Sequence, residues 1–353
     1  MPHRFLPGAA VALMAFAAPA LTAMSSAAAA SPYAPTPYHD LQPEPSVVAL
    51  APGLEGDAFV ETLNALEAAG IQVPVAYPGA GFILIDRGGV KREAANHGLT
   101  LLRDAGDAAG LGAIRSADPR MGGLLRWWED GFHAPVLDPA ERSAREAALA
   151  ETDLCAGARD VGEVAGRSAA CGPGEYGTVH FAAGRCVVNL IRPQQVGAVQ
   201  YVWNNADVDK VAAELTRALM WWNLKTGRRL TFVLEDHGKV TSQVEPAVLN
   251  ISQEGDYIGD CLTSLGYTTS TCPYTQLGEL NATQRDRYRA HWGVTQFILN
   301  AEVFPGSGAL AYAYLGGPHT VALRGNGSLS IEELDLVIAH EFGHIFQAVD
   351  EYA

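Results

Sequence analysis

The chain has 353 residues, 48% of them hydrophobic and 18% charged. That composition excludes collagen, coiled coil and wholesale disorder, and it fits about two globular domains of ordinary size. With 24 lysines and arginines against 39 aspartates and glutamates the net charge is −15, a field that repels phosphates and anionic lipid, so nucleic acid is excluded as a partner.

The first thirty residues read as an export signal. Arg4 supplies a positive start, residues 9–23 form an apolar run too short for a comfortable membrane span, and Ala28-Ala29-Ala30 before Ser31 offers a cleavage site. A retained N-terminal anchor is the alternative. No cysteine follows the apolar run, which argues against a lipoprotein, and no later segment reaches about 18 consecutive apolar residues. The expectation is a secreted protein with no transmembrane segment after signal removal.

Residues 31–45 carry five prolines and read as an extended linker. A strand at 46–50 follows, then a helix at 57–69 with Phe59, Leu63 and Leu66 on one face and Gly70 closing it. Strands at 71–76 and 81–85 are joined through Tyr77-Pro78-Gly79, a second helix spans 90–96, and a last strand spans 99–102. The order β-α-β-β-α-β over residues 46–103 predicts a small ferredoxin-like, split βαβ domain. Residues 104–165 read as a connecting segment, with a helix opening at Asp138-Pro139 and running through Glu151. A domain boundary is expected near 165.

From 166 to 353 the pattern is α/β. A strand at 185–191 precedes an amphipathic helix at 207–225, with Val208, Val211, Leu215, Leu219 and Trp222 along one face. Further strands are predicted at 230–234, 296–299, 309–315 and 320–323, the last two split by Gly316-Gly317-Pro318. Ser330 and Glu333 form a capping box that opens the final helix.

Export makes the five cysteines readable as disulfide candidates. Cys261 and Cys272 bracket a polar ten-residue loop and are the predicted pair. Among Cys155, Cys171 and Cys186, pairing of the second with either neighbour is open. One is left over, which implies a free thiol, an intermolecular bond or a partner outside this chain. A role for Cys155 in blocking a metal lacks any supporting sequence around it.

The final helix contains His340-Glu341-Phe342-Gly343-His344. Histidines four apart on a helix project from one face, so both imidazoles reach one tetrahedral ion. Glu341, next to the first histidine, sits where it can take a proton from water at the open position. Zinc is the natural ion for neutral imidazoles with an oxygen ligand. His180, His237, His291 and His319, each isolated, read instead as surface or hydrogen-bonded residues.

Six positions past His344 lies Asp350, followed by Glu351 and Tyr352. The run H-E-x-x-H-x-x-Q-x-x-D resembles the metzincin signature, H-E-x-x-H-x-x-G-x-x-H/D, and the H-E-F-G-H … D-E-Y wording resembles bacterial secreted members, snapalysin-like and IgA-peptidase-like. The order strand, long helix, strands, edge strand, strand and zinc helix also resembles the metzincin upper catalytic subdomain, so the likeness covers roughly 175–353, its specific part confined to the last fourteen residues. The resemblance implies Zn2+ held by His340, His344 and Asp350, with Glu341 as general base. Two departures stand out. Gln347 replaces the glycine at which family chains leave the helix, so a non-glycine residue must take a conformation that glycine usually supplies, and Glu351 is a rival ligand. The lower subdomain with its methionine turn has no counterpart before Ala353, and the sequence reads as truncated from a longer precursor; a genuine stop in a degenerate relative is the alternative.

The expected fold is therefore mixed α/β, with a metzincin-like upper catalytic subdomain and a zinc helix behind a ferredoxin-like unit that serves as the pro-domain of a zymogen or as an accessory binding module. The expected activity is peptide-bond hydrolysis in protein or peptide substrates, with strand 309–315 aligning the substrate as an added antiparallel strand. The alternatives are a catalytically inactive exported binding protein that keeps a degenerate zinc helix, and another H-E-x-x-H class with a glutamate ligand on a later helix.

Overall fold

A computed structural model describes residues 46–86, 88–102, 121–133, 182–198, 200–302, 304, 310–325 and 330–348. The export signal, the proline linker, the helix expected at 138–151, Cys155, Cys171, Asp350 and Glu351 lie outside the described residues.

The N-terminal unit forms from short apolar runs punctuated by glycine. Its elements are β1 (Ser46–Leu50), α1 (Gly56–Ala68), β2 (Gln72–Tyr77), β3 (Gly81–Ile85), α2 (Val90–Asn96) and β4 (Thr100–Leu102). The strands lie in the order β4-β1-β3-β2, each antiparallel to its neighbour. Phe59, Val60, Leu63 and Leu66 make the buried face of α1. Gly81 opens β3 at a φ of 153°, where an added Cβ would run into the Ala49 carbonyl of the adjacent strand. Only glycine fits that crossing.

The sheet does not stop there. After α3 (Gly122–His133) come β5 (Gly184–Gln195), α4 (Asn205–Lys225) and β6 (Leu230–Ser242). These are followed by α5 (Glu254–Ser264), α6 (Pro273–Arg287), β7 (Trp292–Leu299), β8 (Ala311–Ala313), β9 (His319–Leu323) and α7 (Leu334–Ile345). One nine-stranded mixed sheet runs β4-β1-β3-β2-β6-β5-β7-β9-β8. Strands β6, β5, β7 and β9 are parallel, and β8 closes the far end antiparallel to β9. Helices α3, α4 and α7 share one core on one face, and α5 and α6 pack with another.

Two expectations are corrected here. The boundary expected near 165 does not divide the sheet, because β2 pairs in parallel with β6 through Val75 with Phe232 and Ala76 with Val233. The core under α1 and α2 also takes in Val187, Val233 and Tyr288 from the later half of the chain. Tyr77 of β2 hydrogen-bonds Thr216 of α4.

The second correction concerns the cysteines. Cys261 is a free, buried thiol, whereas Cys272 is disulfide-bonded to a partner outside the described residues. Residues 262–271 are not one loop bracketed by the pair. Cys261 belongs to the buried face of α5 with Tyr257, Ile258 and Leu262, its sulfur 3.9 Å from the Val240 carbonyl, while Cys272 caps the start of α6. Cys186 is also free and buried, inside β5.

Candidate metal centre

Helix α7 begins where the sequence places it. Ser330 and Glu333 make the capping box, with the Glu333 carboxylate accepting from the Ser330 amide at 2.9 Å. Leu334, Val337, Ile338, Phe342 and Ile345 bury the inner face against α4 and the sheet. Phe342 meets Phe232 edge-on with centroids 6.5 Å apart, and the Trp222 indole donates to the Ala339 carbonyl at 2.9 Å. These contacts fix the rotation of the helix and leave His340 and His344 half-buried.

The two imidazole centroids lie 5.0 Å apart with their planes at 87°. Glu341, between them in sequence, is 1% exposed. Nδ1 of His344 lies 2.9 Å from the Ala348 carbonyl oxygen. A carbonyl only accepts, so Nδ1 carries a proton, and the neutral imidazole with that tautomer binds a metal through Nε2.

The end of α7 answers the question raised by Gln347. The Ala348 amide donates to the Gly343 carbonyl and the Gln347 amide to the His344 carbonyl, both at 2.9 Å, the two bonds of a Schellman motif. Gln347 takes the left-handed position with φ 68°. The chain leaves the helix at the residue where glycine stands in the resembled signature. That turn also presents the Ala348 carbonyl to His344.

Two imidazoles on one helix, that of His344 oriented by the Ala348 carbonyl, are a donor set suited to zinc. Asp350 and Glu351, the expected oxygen ligand and its rival, lie outside the described residues, and among the described residues no group of three His, Cys, Asp or Glu side chains converges on one point. A cavity of about 550 Å3 sits at the opposite ends of the strands, lined by the first turn of α4 and by residues after β7 and β9, including Asp207, Asn300 and Arg324. Neither His340 nor His344 lines it.

The isolated histidines within the described residues are hydrogen-bonded. His237 pairs with Asn189 at 3.2 Å, His291 accepts from the Arg185 amide at 3.0 Å, and His319 meets Glu254 at 3.2 Å. Burial lowers the His237 imidazole to about 4. The polar cluster around Glu254 was not legible beforehand: its members are spread over 65 residues and share no spacing that points to one another.

The chain matches no protein-family model, and neither curated proteins nor solved structures match it.

Proposed function

We propose that the chain is a secreted zinc endopeptidase with a metzincin-like upper catalytic subdomain. The observation that carries the reading is the pair His340 and His344 on one helix, with the Nδ1 proton of His344 engaged by the Ala348 carbonyl. Four parallel strands with an antiparallel edge strand, followed by the helix of the motif, support the architecture. The left-handed turn at Gln347 supports Asp350 as third ligand, because it breaks the helix three residues before that position.

His340, His344 and Asp350 would hold the ion, which when bound supplies Lewis acidity toward water and a peptide carbonyl. Glu341 accepts the proton of the attacking water and returns it to the departing amine. Strand β8, last in the sheet, aligns an extended substrate through its outer edge. The β1–β4 unit joins the sheet at its opposite end, which favours a built-in scaffold over an inhibitor seated against the histidines.

Metal content of the purified full-length protein is the first test: wild type should carry one zinc and His344→Ala should lose it, and equal zinc in both would sink the assignment. Glu341→Gln should keep zinc while hydrolysis of a casein-like substrate falls by about a hundredfold or more, the scale of losing a general base. Hydrolysis at the wild-type rate would remove Glu341 from the mechanism.

A further inference from the structure

Glu254 opens α5 and is 1% exposed, in the interior on the face of the sheet away from α7. Its carboxylate is fully engaged. Oε1 accepts from Tyr274 at 2.7 Å and Tyr314 at 2.5 Å, and Oε2 accepts from Tyr312 at 2.5 Å and His319 Nε2 at 3.2 Å. Burial pushes this carboxyl up, but His319 and the tyrosine hydroxyls outweigh it and hold it below the usual carboxylate range.

Such a cluster is an inefficient way to stabilise a fold. Taking a carboxylate out of water costs several kcal/mol, and well-packed apolar side chains of similar volume serve stability as well or better. What a saturated polar hub fixes is relative position. Its donors come from α6 (Tyr274), edge strand β8 (Tyr312), the residue just past it (Tyr314) and the first residue of β9 (His319). The turn between the last two is tied to the histidine helix, since the Gly316 amide donates to the His344 carbonyl at 2.9 Å. The same turn is held by the Gly317 amide on the Tyr314 carbonyl at 2.9 Å and by Asn281 on the Pro318 carbonyl at 3.0 Å.

We propose that Glu254 is a positioning residue for the peptidase read above: it fixes the edge strand that aligns the substrate together with the turn that hydrogen-bonds His344. The placement of a bound peptide relative to the histidines is then set from the far side of the sheet. This rests on the peptidase reading, and two separate readouts keep the failures apart.

The variants are Tyr314→Phe, which deletes one donor and little volume, and Glu254→Gln, which puts an NH2 donor where a carboxylate oxygen accepted. In the full chain both should retain zinc. KM for an extended peptide should rise about tenfold with kcat within about twofold, the scale of one mispaired buried hydrogen bond. Amide exchange should accelerate selectively over residues 311–317. Unchanged KM and unchanged exchange there in both variants overturns the proposal, as does a uniform rise in exchange across the sheet with the loss carried by kcat. If the wild-type chain cleaves nothing, the peptidase reading fails and the substrate half of this proposal with it. Exchange over 311–317 then decides the remaining half, the coupling of Glu254 to the His344 turn.

Discussion

Arg185, in β5, reaches across to Glu67 of α1 at 2.9 Å. The same guanidinium donates to Asn64 at 2.8 Å and to the Tyr288 carbonyl at 3.0 Å. It therefore ties the N-terminal unit to the parallel part of the sheet. Arg185 is almost wholly buried whereas Glu67 is half-exposed, so truncating the arginine strands the Tyr288 carbonyl more than it strands the acid.

The first prediction is that residues 46–102 and the later sheet unfold together. The six tryptophans all lie beyond residue 121, so fluorescence reports the later part and exchange of the β1–β4 amides reports the first. Their urea transitions should coincide. Arg185→Ala should lower stability by about 1–3 kcal/mol through the lost charged hydrogen bonds and the orphaned carbonyl. Two separate transitions in the wild type would show the unit to be an independent domain.

Gln347 supplies the second prediction. Its φ of 68° is a left-handed position that costs a non-glycine residue about 1–2 kcal/mol, partly offset in a glycine variant by the greater freedom of the unfolded chain. Gln347→Gly should raise the urea midpoint by the equivalent of about 0.5–1 kcal/mol and leave the proposed zinc binding intact. Gln347→Val, β-branched at the same dihedral, should lower it. A midpoint unmoved or lowered by glycine would mean that the turn is not left-handed in solution.

That turn was legible in the sequence because the departure from glycine falls at one definite position of the motif. The β1–β4 unit was legible for a different reason, since SVVAL and GFILI are unbroken apolar runs bounded by turn residues. Helices α5 and α6 were not. Gly255 and Gly259 weaken the helical signal of the first, and Gln276, Asn281 and Gln284 on the buried side of the second make its inner face read as polar. The far end of β5 was missed because Arg192 and Pro193 break its apolar run, and that of β6 because the polar stretch from Glu235 to Lys239 does the same, although the pairing continues through Arg192 with Lys239 and Pro193 with Val240. Nothing in residues 75 and 76 marks β6 as their neighbour. Which strand edges meet is decided by packing at long sequence separation.

The third prediction follows from the corrected cysteines. Burial pushes the Cys186 thiol up to about 12, and burial followed by the Asp260 carboxylate raises Cys261. Both should resist alkylation in the native protein at pH 8 and label on unfolding, because thiolate and access are both lacking until then. Cys272 should label only after reduction. Rapid native labelling of Cys261 would contradict its place in the core of α5.

The fourth concerns pH and the start of the histidine helix. Asp335, in the first turn of α7, is buried, and burial and then the nearby Glu214 carboxylate raise its pKa from 3.8 to about 8. Glu214, fully buried on α4, is itself raised by burial against the pull of Arg217 and Lys210. Asp130 faces the same group, bridging Lys210 and Arg217 at 3.0 Å each and Arg126 at 3.0 Å. Since the folded Asp335 keeps its proton to higher pH than the unfolded one, the native state binds more protons between about pH 4 and pH 8. Stability from this group is thus complete below about pH 4 and declines as pH rises through that window. Asp335→Asn keeps the shape without the charge, so it should flatten the decline and raise the urea midpoint more at pH 8 than at pH 5. The comparison is two denaturation series, one at each pH, for wild type and variant. Equal shifts at both would mean that Asp335 is already ionised at pH 5 and that Arg217 and Lys210, rather than a proton, balance the two carboxyls.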